Sequence, residues 1–401
     1  MTNIKNLILI LLPLVLPIYV VRFHIGPLPT TLLEIFLLLF LAAWIYERRF
    51  NGIKSAWEKL HKSGWVIPLV LWLLAGVIGI FVAPGHMGAL GLWRAYFLEP
   101  ILIFVMLADL VRSNEDRRHL IRSLIFVTGI VALWALIQFV SGHGIPAPWD
   151  KPPQGIRATG PFPYPNALAL FAVPISALCF YLVVNKKSDT GYRIPDIILW
   201  LGFASGLIAT LLAKSDGGFI ALLAAMFVTL LIKKATRLPV IAIAIVSLIL
   251  AFSFPMSRST ITNQIFFKDW SGKVRLVMWE ETQNMLADRP ILGAGLGAYP
   301  KMIQPYHEAT WMEVFQYPHN ILLNLWSEVG LLGILAFTWI LILWYKKSGL
   351  AALPILAVIL VHGLVDVPYF KNDLAILFWI LIATTTTGNY PSISKQQAQQ
   401  N

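Results

Sequence analysis

Cysteine is almost missing from this 401-residue chain: Cys179 is the only one, which excludes an intrachain disulfide and any cysteine-based metal centre within one chain. Charge is scarce too, at 13% Asp, Glu, Lys and Arg, against roughly 25% in an ordinary soluble domain. No internal repeat emerges, and no small-residue cleavage site follows the Lys5-containing apolar start, so the first run reads as a retained anchor rather than a signal peptide. The outer loops assigned below carry neither a paired-Asp motif nor a His/carboxylate cluster at metal-ligand spacing, which points to metal-independent chemistry with no cofactor.

What fills the space is hydrophobic sequence. Apolar residues make up 58%, and the mean hydropathy is +0.72. Runs of bilayer length recur, and in hydrocarbon such runs must close their own backbone hydrogen bonds as helices. The reading is an all-α polytopic membrane protein, one integral membrane domain over 1–401, with twelve spans near 5–22, 28–46, 65–83, 95–111, 120–141, 166–184, 195–213, 219–232, 238–254, 320–345, 350–367 and 374–387. Arg22, His24, Pro27 and Pro29 mark the first turn, and the Gln-rich tail near 388–401 reads as disordered.

Basic residues set the orientation, because Lys and Arg favour cytoplasmic loops. With the N-terminus inside, Lys5, Arg48, Arg49, Lys54, Lys59, Lys62, Arg112, Arg117, Arg118, Arg122, Lys186, Lys187, Arg193, Lys233, Lys234, Arg237, Lys346, Lys347 and Lys395 all fall on the inner side. Short outer loops keep only Arg22, Arg94, Lys151, Arg157, Lys214 and Lys371. Both termini are therefore expected in the cytoplasm. The net charge of +11 is then a topology signal plus attraction to anionic membrane lipids, and not a sign of nucleic-acid binding.

Two expected outer segments break the hydrophobic pattern. Residues 142–165 are rich in Gly and Pro, a stiff irregular loop. Residues 255–319 form a large outer loop in which apolar positions 274, 278, 282 or 285, and 286 predict an amphipathic helix over 273–286. A turn over Pro290–Gly297 and a short helical piece around Met302–Tyr306 follow it.

The candidate chemistry sits in these outer segments. Tyr317-Pro318-His319-Asn320 closes the large loop, with Asn320 as a helix N-cap and His319 as a proton acceptor at the membrane surface. The bland alternative is a helix start at headgroup level. Arg275, one turn before Trp279, offers a planar guanidinium suited to phosphate, or else an interfacial anchor. Lys214-Ser215-Asp216-Gly217-Gly218 offers a point charge and glycines that let backbone amides approach an anion, or else a tight hairpin. Asp366, four residues after His362, either orients a base, holds an arginine or pairs with His362. Arg157, Arg94 and Arg289 are further cations, Arg289 with Asp288 beside it as a turn partner. Gly293-Ala294-Gly295-Leu296-Gly297 is not a nucleotide loop, since no parallel strand precedes it.

Taken in order, the turn 214–218, the stretch Arg275 to Trp279, Asp288-Arg289-Pro290-Ile291-Leu292-Gly293-Ala294-Gly295-Leu296-Gly297, Pro318-His319-Asn320 running on to Gly333, and His362-Gly363-Leu364-Val365-Asp366 resemble the O-antigen ligase and O-antigen polymerase superfamily. The signature region covers about 205–370. The resemblance implies an enzyme that takes a glycan from a polyprenyl (undecaprenyl) diphosphate carrier at the outer face of the inner membrane. It hands that glycan to a glycan, glycolipid or protein acceptor hydroxyl, with inversion. It implies His319 as the base, Arg275 as a diphosphate-binding cation and Asp366 as an acidic partner, while Lys214, Arg289, Arg157 and Arg94 are further candidate cations, and Tyr317 and Asn320 candidate substrate contacts, by their place in the outer segments. Where family members carry an arginine in the turn, this chain has Lys214 and Asp216. A polymerase, a protein O-oligosaccharyltransferase and, from another class, a transporter or flippase are the competing readings.

Overall fold

The computed structural model describes residues 2–26, 28–151, 155–185, 194–253, 259, 262–263 and 266–386, so the expected disordered tail lies outside the described residues. The chain is almost wholly helical. Among the described residues the one departure from the all-α expectation is at the first turn, where β1 (Arg22–Ile25) and β2 (Leu28–Thr31) pair as an antiparallel hairpin. Proline disfavours helix here and is tolerated in an isolated two-stranded ribbon.

Helix α1 (Thr2–Leu14) precedes the hairpin, and α2 (Leu32–Lys62) follows it. Thr31 opens α2 with a reciprocal cap: its hydroxyl accepts from Glu34 N at 3.3 Å while the Glu34 carboxylate accepts from Thr31 N at 3.2 Å. Arg49, at φ 48, breaks α2, so the apolar half stops near the expected boundary and a separate arm runs on to Lys62. That helix meets α3 (Val66–Val82) at a bend of 101°. Next, α4 (His86–Trp93), a π turn (Arg94–Leu98) and α5 (Glu99–Leu110) form one continuous helix. The expected loop around Arg94 is helical instead, and its guanidinium lies 2.7 Å from the Glu34 carboxylate and 3.2 Å from that of Glu99.

Helix α6 (Asn114–Ser141) ends at Gly142, whose φ of 69 suits glycine. The irregular loop after it is held by one side chain. Gln138 accepts from Thr159 N (3.0 Å) and Gly160 N (2.7 Å) and donates to Gly160 O (2.9 Å) and Gly144 O (2.7 Å). Helix α7 (Pro165–Val184) then runs through the centre of the bundle, 94% buried along its apolar window, against α8 (Asp196–Leu212) and α9 (Asp216–Ile232). Gly202 and Gly206, one turn apart on α8, set that contact. A Cβ on Gly202 would lie 2.7 Å from the Cys179 sulfur, and one on Gly206 would lie 2.5 Å from Ser176 Cβ, the small-residue seam expected where hydrophobicity gives helices no reason to associate.

Beyond α10 (Lys234–Ser253), α11 (Trp270–Asp288) covers the amphipathic segment, with Val274, Met278, Thr282, Met285 and Leu286 buried as the pattern predicts. A turn and the short α12 (Tyr299–Met302) follow, then α13 (Ile321–Ser348), α14 (Leu353–Gly363) and α15 (Asn372–Thr385). Helix α14 closes another side of α7.

The glycine run 293–297 docks into α13. In an unbroken helix Leu331 N–H would donate to Ser327 O. Here Gly330 (φ 64) interrupts the ladder, Leu331 N donates to Ile291 O (3.0 Å), and the freed Ser327 carbonyl accepts from Ala294 N (2.7 Å) and Gly295 N (3.1 Å). Gly297 N adds a bond to the Glu328 carboxylate. Among the described residues, four helices are long and apolar enough to cross a membrane, or five if the bent pair counts as one. The shorter apolar helices are Ile4–Leu14, α8, α9, α14 and α15. The sequence expectation of twelve spans thus exceeds what length and composition alone establish.

Candidate functional site

The left-handed backbone is unfavourable for residues with a Cβ. Among the described residues four non-glycines adopt it: Arg49, Lys214, Phe267 and His319. The last three gather in one place, where the start of α9, the start of α11, the start of α13 and the turn after α14 meet. Strain of this kind collects at functional sites.

His319 takes φ 45 immediately before the N-cap of α13. Its neighbours fix it from both sides. Pro318 O accepts from Trp279 Nε1 at 2.9 Å, and Asn320 accepts from Leu322 N and Leu323 N while donating to Leu364 O at 3.1 Å. Asn320 is therefore a cap and a tie to the α14 turn. The His319 ring packs against Tyr317 (centroids 4.6 Å apart) and Phe315 (5.6 Å) and keeps 23% of its side chain exposed.

Asp366 lies three residues past the end of α14, 1% exposed, with Oδ1 3.5 Å from His319 Nδ1. Val367 N donates to Oδ1 at 2.8 Å and Asn166 Nδ2 to Oδ2 at 3.0 Å. Burial alone would raise this carboxyl. The contact and charge of His319 and the Val367 N–H overcome it and hold the group well below the usual carboxylate range. The orientation of the carboxylate toward Nδ1 leaves Nε2 as the nitrogen available for chemistry.

Beside Asp366 opens a cavity of about 350 Å³, lined among others by Arg157, Asn166, Lys214, Asp216, Phe267, Arg275 and His362; His319 reaches it through Asp366 and is not itself part of the lining. Three cations assigned to separate loops thus share one wall. Arg275 is pinned by Nε to Val365 O (3.2 Å) and by Nη1 to Ser271 Oγ (2.6 Å). Arg157 donates to Ala213 O (3.0 Å), Lys214 O (3.2 Å) and Asn166 Oδ1 (3.2 Å), with its guanidinium over the Trp149 ring. Burial lowers both guanidinium pKa values from their ordinary range, although both stay charged near neutral pH.

Other sequence expectations land elsewhere. Arg94 is held in its helix by Glu34 and Glu99, away from the cavity. Arg289 is exposed at the C-terminus of α11, and Asp288, its expected partner, instead accepts from the Tyr306 hydroxyl. The glycines of the 214–218 turn serve helix packing: a Cβ on Gly217 would lie 2.7 Å from Val365 Cγ2, and Gly218 N is capped by the Ser215 hydroxyl. His362 is buried and lines the cavity without a side-chain bond to Asp366.

Sequence reading passed over Tyr164 and Asn166 and named Lys371 only as a basic residue of an outer loop. Tyr164 and Tyr317 share a hydroxyl contact at 3.2 Å, and burial pushes both phenols up. Lys371 is enclosed by Tyr19, Phe162 and Tyr164, its ammonium 4.8, 5.0 and 5.1 Å from the ring centres. The only advance signal was their place beside prolines or charges in outer segments. Among the described residues no three of His, Cys, Asp or Glu gather as a metal site would require.

Residues 201–338 match the family model described as O-antigen ligase. The chain is also similar to proteins named provisionally as polysaccharide ligases in Rickettsia. A Rickettsia felis relative is 25% identical over 342 residues, covering 78% of this chain and 79% of that protein. One from Rickettsia prowazekii is 24% identical, covering 62% and 60%, and one from Rickettsia conorii is 26% identical, covering 45% and 44%. The match thus spans less than two thirds of the length of the latter two.

Proposed function

From residues 201–338, which place this chain in the O-antigen ligase superfamily, we propose that it is a membrane glycosyltransferase. It moves a glycan from a polyprenyl diphosphate carrier to an acceptor hydroxyl at the outer face of the inner membrane. In this reading the bundle crosses the bilayer twelve times, with the shorter helices completing their spans inside the bundle, both termini in the cytoplasm and 255–319 outside.

One observation carries the proposal: Asp366, in contact with His319, lines a cavity walled by Arg157, Lys214 and Arg275. The acceptor oxygen attacks the anomeric carbon, and its proton passes to His319 Nε2. The bond from that carbon to the diphosphate oxygen breaks, leaving its electron pair on that oxygen, and attack from the opposite face inverts the centre. Asp366 fixes the ring orientation and balances the imidazolium as it forms. The three cations oppose the charge that grows on the diphosphate. A pair of unit charges 4 Å apart interacts by about 4 kcal/mol at an effective dielectric of 20, against about 1 in bulk water. A half-enclosed cavity is therefore the better place for them. These fixed cations take the charge-neutralising role that a divalent ion has elsewhere, so the reading includes transfer that survives chelation.

The test is transfer in proteoliposomes from a labelled polyprenyl-diphosphate glycan. His319→Ala is expected to lower turnover about 10²- to 10⁴-fold while donor binding persists. Wild-type turnover in that variant would remove the base from the mechanism, and transport of the donor without transfer would move the protein to another class.

A further inference from the structure

A second cavity, of about 840 Å³, lies at the other end of α13. The N-terminus of that helix carries His319, and its last turn supplies Lys346 and Lys347 to this cavity, about 40 Å away at 1.5 Å per residue. Six cations line it (Lys54, Lys59, Lys62, Arg117, Lys346 and Lys347) against one carboxylate, Glu58.

Nearby counter-charges are already engaged. Asp109 is held by Arg48 (2.9 Å) and Arg112, and Asp116 by Lys5 (2.5 Å). Arg117 is only 4% exposed, and its Nε has no hydrogen-bond partner. A buried guanidinium N–H left unpaired is costly and asks for an acceptor from outside the chain. Beside the cations the wall turns apolar, with Trp65, Phe104 and Leu107. The arm bearing Lys54 and Lys62 exposes Phe50, Ile53 and Trp57 along one face at helical spacing.

We propose that this cavity binds the phosphate headgroup of an anionic phospholipid, with phosphate oxygens on Arg117 and the lysines and an acyl chain along the Trp65–Phe104 wall. The adjoining apolar wall and the apolar outer face of the arm are what favour a lipid over free phosphate. This site is separate from the one assigned to glycan transfer and does not depend on that assignment.

The test uses purified full-length protein and native mass spectrometry. Phosphatidylglycerol and phosphatidylcholine are titrated in parallel, with inorganic phosphate in excess as a third arm. Phosphatidylglycerol should be retained in preference to phosphatidylcholine. The triple variant Lys54→Ala, Lys62→Ala, Lys346→Ala should weaken it by about fivefold per lysine. All three lysines are exposed, so this variant tests binding without disturbing the core, and Arg117→Gln tests the buried contact separately. Equal retention of the two lipids overturns the proposal, as does unchanged binding in the triple variant. Displacement of the lipid by inorganic phosphate also overturns it, because the ligand is then free phosphate.

Discussion

His319, Lys214 and Phe267 each hold a backbone conformation that costs on the order of 1–3 kcal/mol for a residue with a Cβ. The packing around them must offset that cost, which is why Trp279, Asn320 and the Val365–Asp366 turn surround the histidine so closely. Arg275 illustrates how geometry adds to charge. Its fork is fixed by Val365 O and Ser271, so Arg275→Lys keeps the positive charge but loses the second contact. Arg275→Ala should reduce turnover about 10²-fold and weaken donor binding, with Arg275→Lys intermediate in both, as read from donor titration and single-turnover rates. Full activity in Arg275→Ala would shift the role to Arg157. The histidine and the aspartate were legible because an ionisable group at the end of an apolar run is conspicuous. Asn166 was not, since its bond to Asp366 joins residues 200 apart and leaves no local pattern. Arg94 misled for the same reason: its charge is visible in sequence, whereas its partner Glu34 lies 60 residues away.

Among the elements, the seam between the 293–297 turn and α13 is the least tolerant. A Cβ on Gly293 would sit 2.1 Å from Trp326 O, at φ 69. Gly293→Ala is expected to destabilise by about 1–3 kcal/mol or more, visible as a lower melting temperature in detergent. An unchanged melting curve would mean the seam is loose in solution. The α11 loop carries a pH-dependent contact. Glu281 hydrogen-bonds His307 at 3.0 Å and accepts from Glu308 N and Ala309 N, and the hydrogen bond to Glu281 raises the His307 pKa despite partial burial. A raised folded-state value means the stabilisation is fully present below about pH 6.5, the ordinary imidazole value, and fades as pH rises through the folded-state value. Hydrogen exchange over 304–312 should therefore quicken as pH rises through that window, after correction for intrinsic rates, and Glu281→Gln should abolish the dependence. The amphipathic helix was legible from its period. The breaks at Arg49 and Gly330 were not, because a change of backbone direction leaves hydropathy untouched.

At the scale of the molecule, basic residues from distant segments meet at one end: Lys5 beside Asp116, Arg48 beside Asp109, and Lys54, Arg117 and Lys346 around a shared cavity. The sequence anticipated this grouping through the bias of its loops. The depth of each helix in the bilayer was beyond it, since short helices shielded by neighbours need not be bilayer-long. Cys179 is fully buried, so a cysteine placed on the surface can be labelled against a silent background. Lys301→Cys should react with a membrane-impermeant maleimide in intact cells, and Lys62→Cys only after lysis; the reverse pattern would invert the orientation. Helix α7 is enclosed by α8, α9 and α14. It leaves the ribosome before any of these three, so its buried faces can be covered only as they follow. Its finished surroundings exist only once α14, carrying His362 and leading into Asp366, has been made. The order of synthesis therefore withholds the acidic partner of the histidine until the mast of the bundle can be sealed.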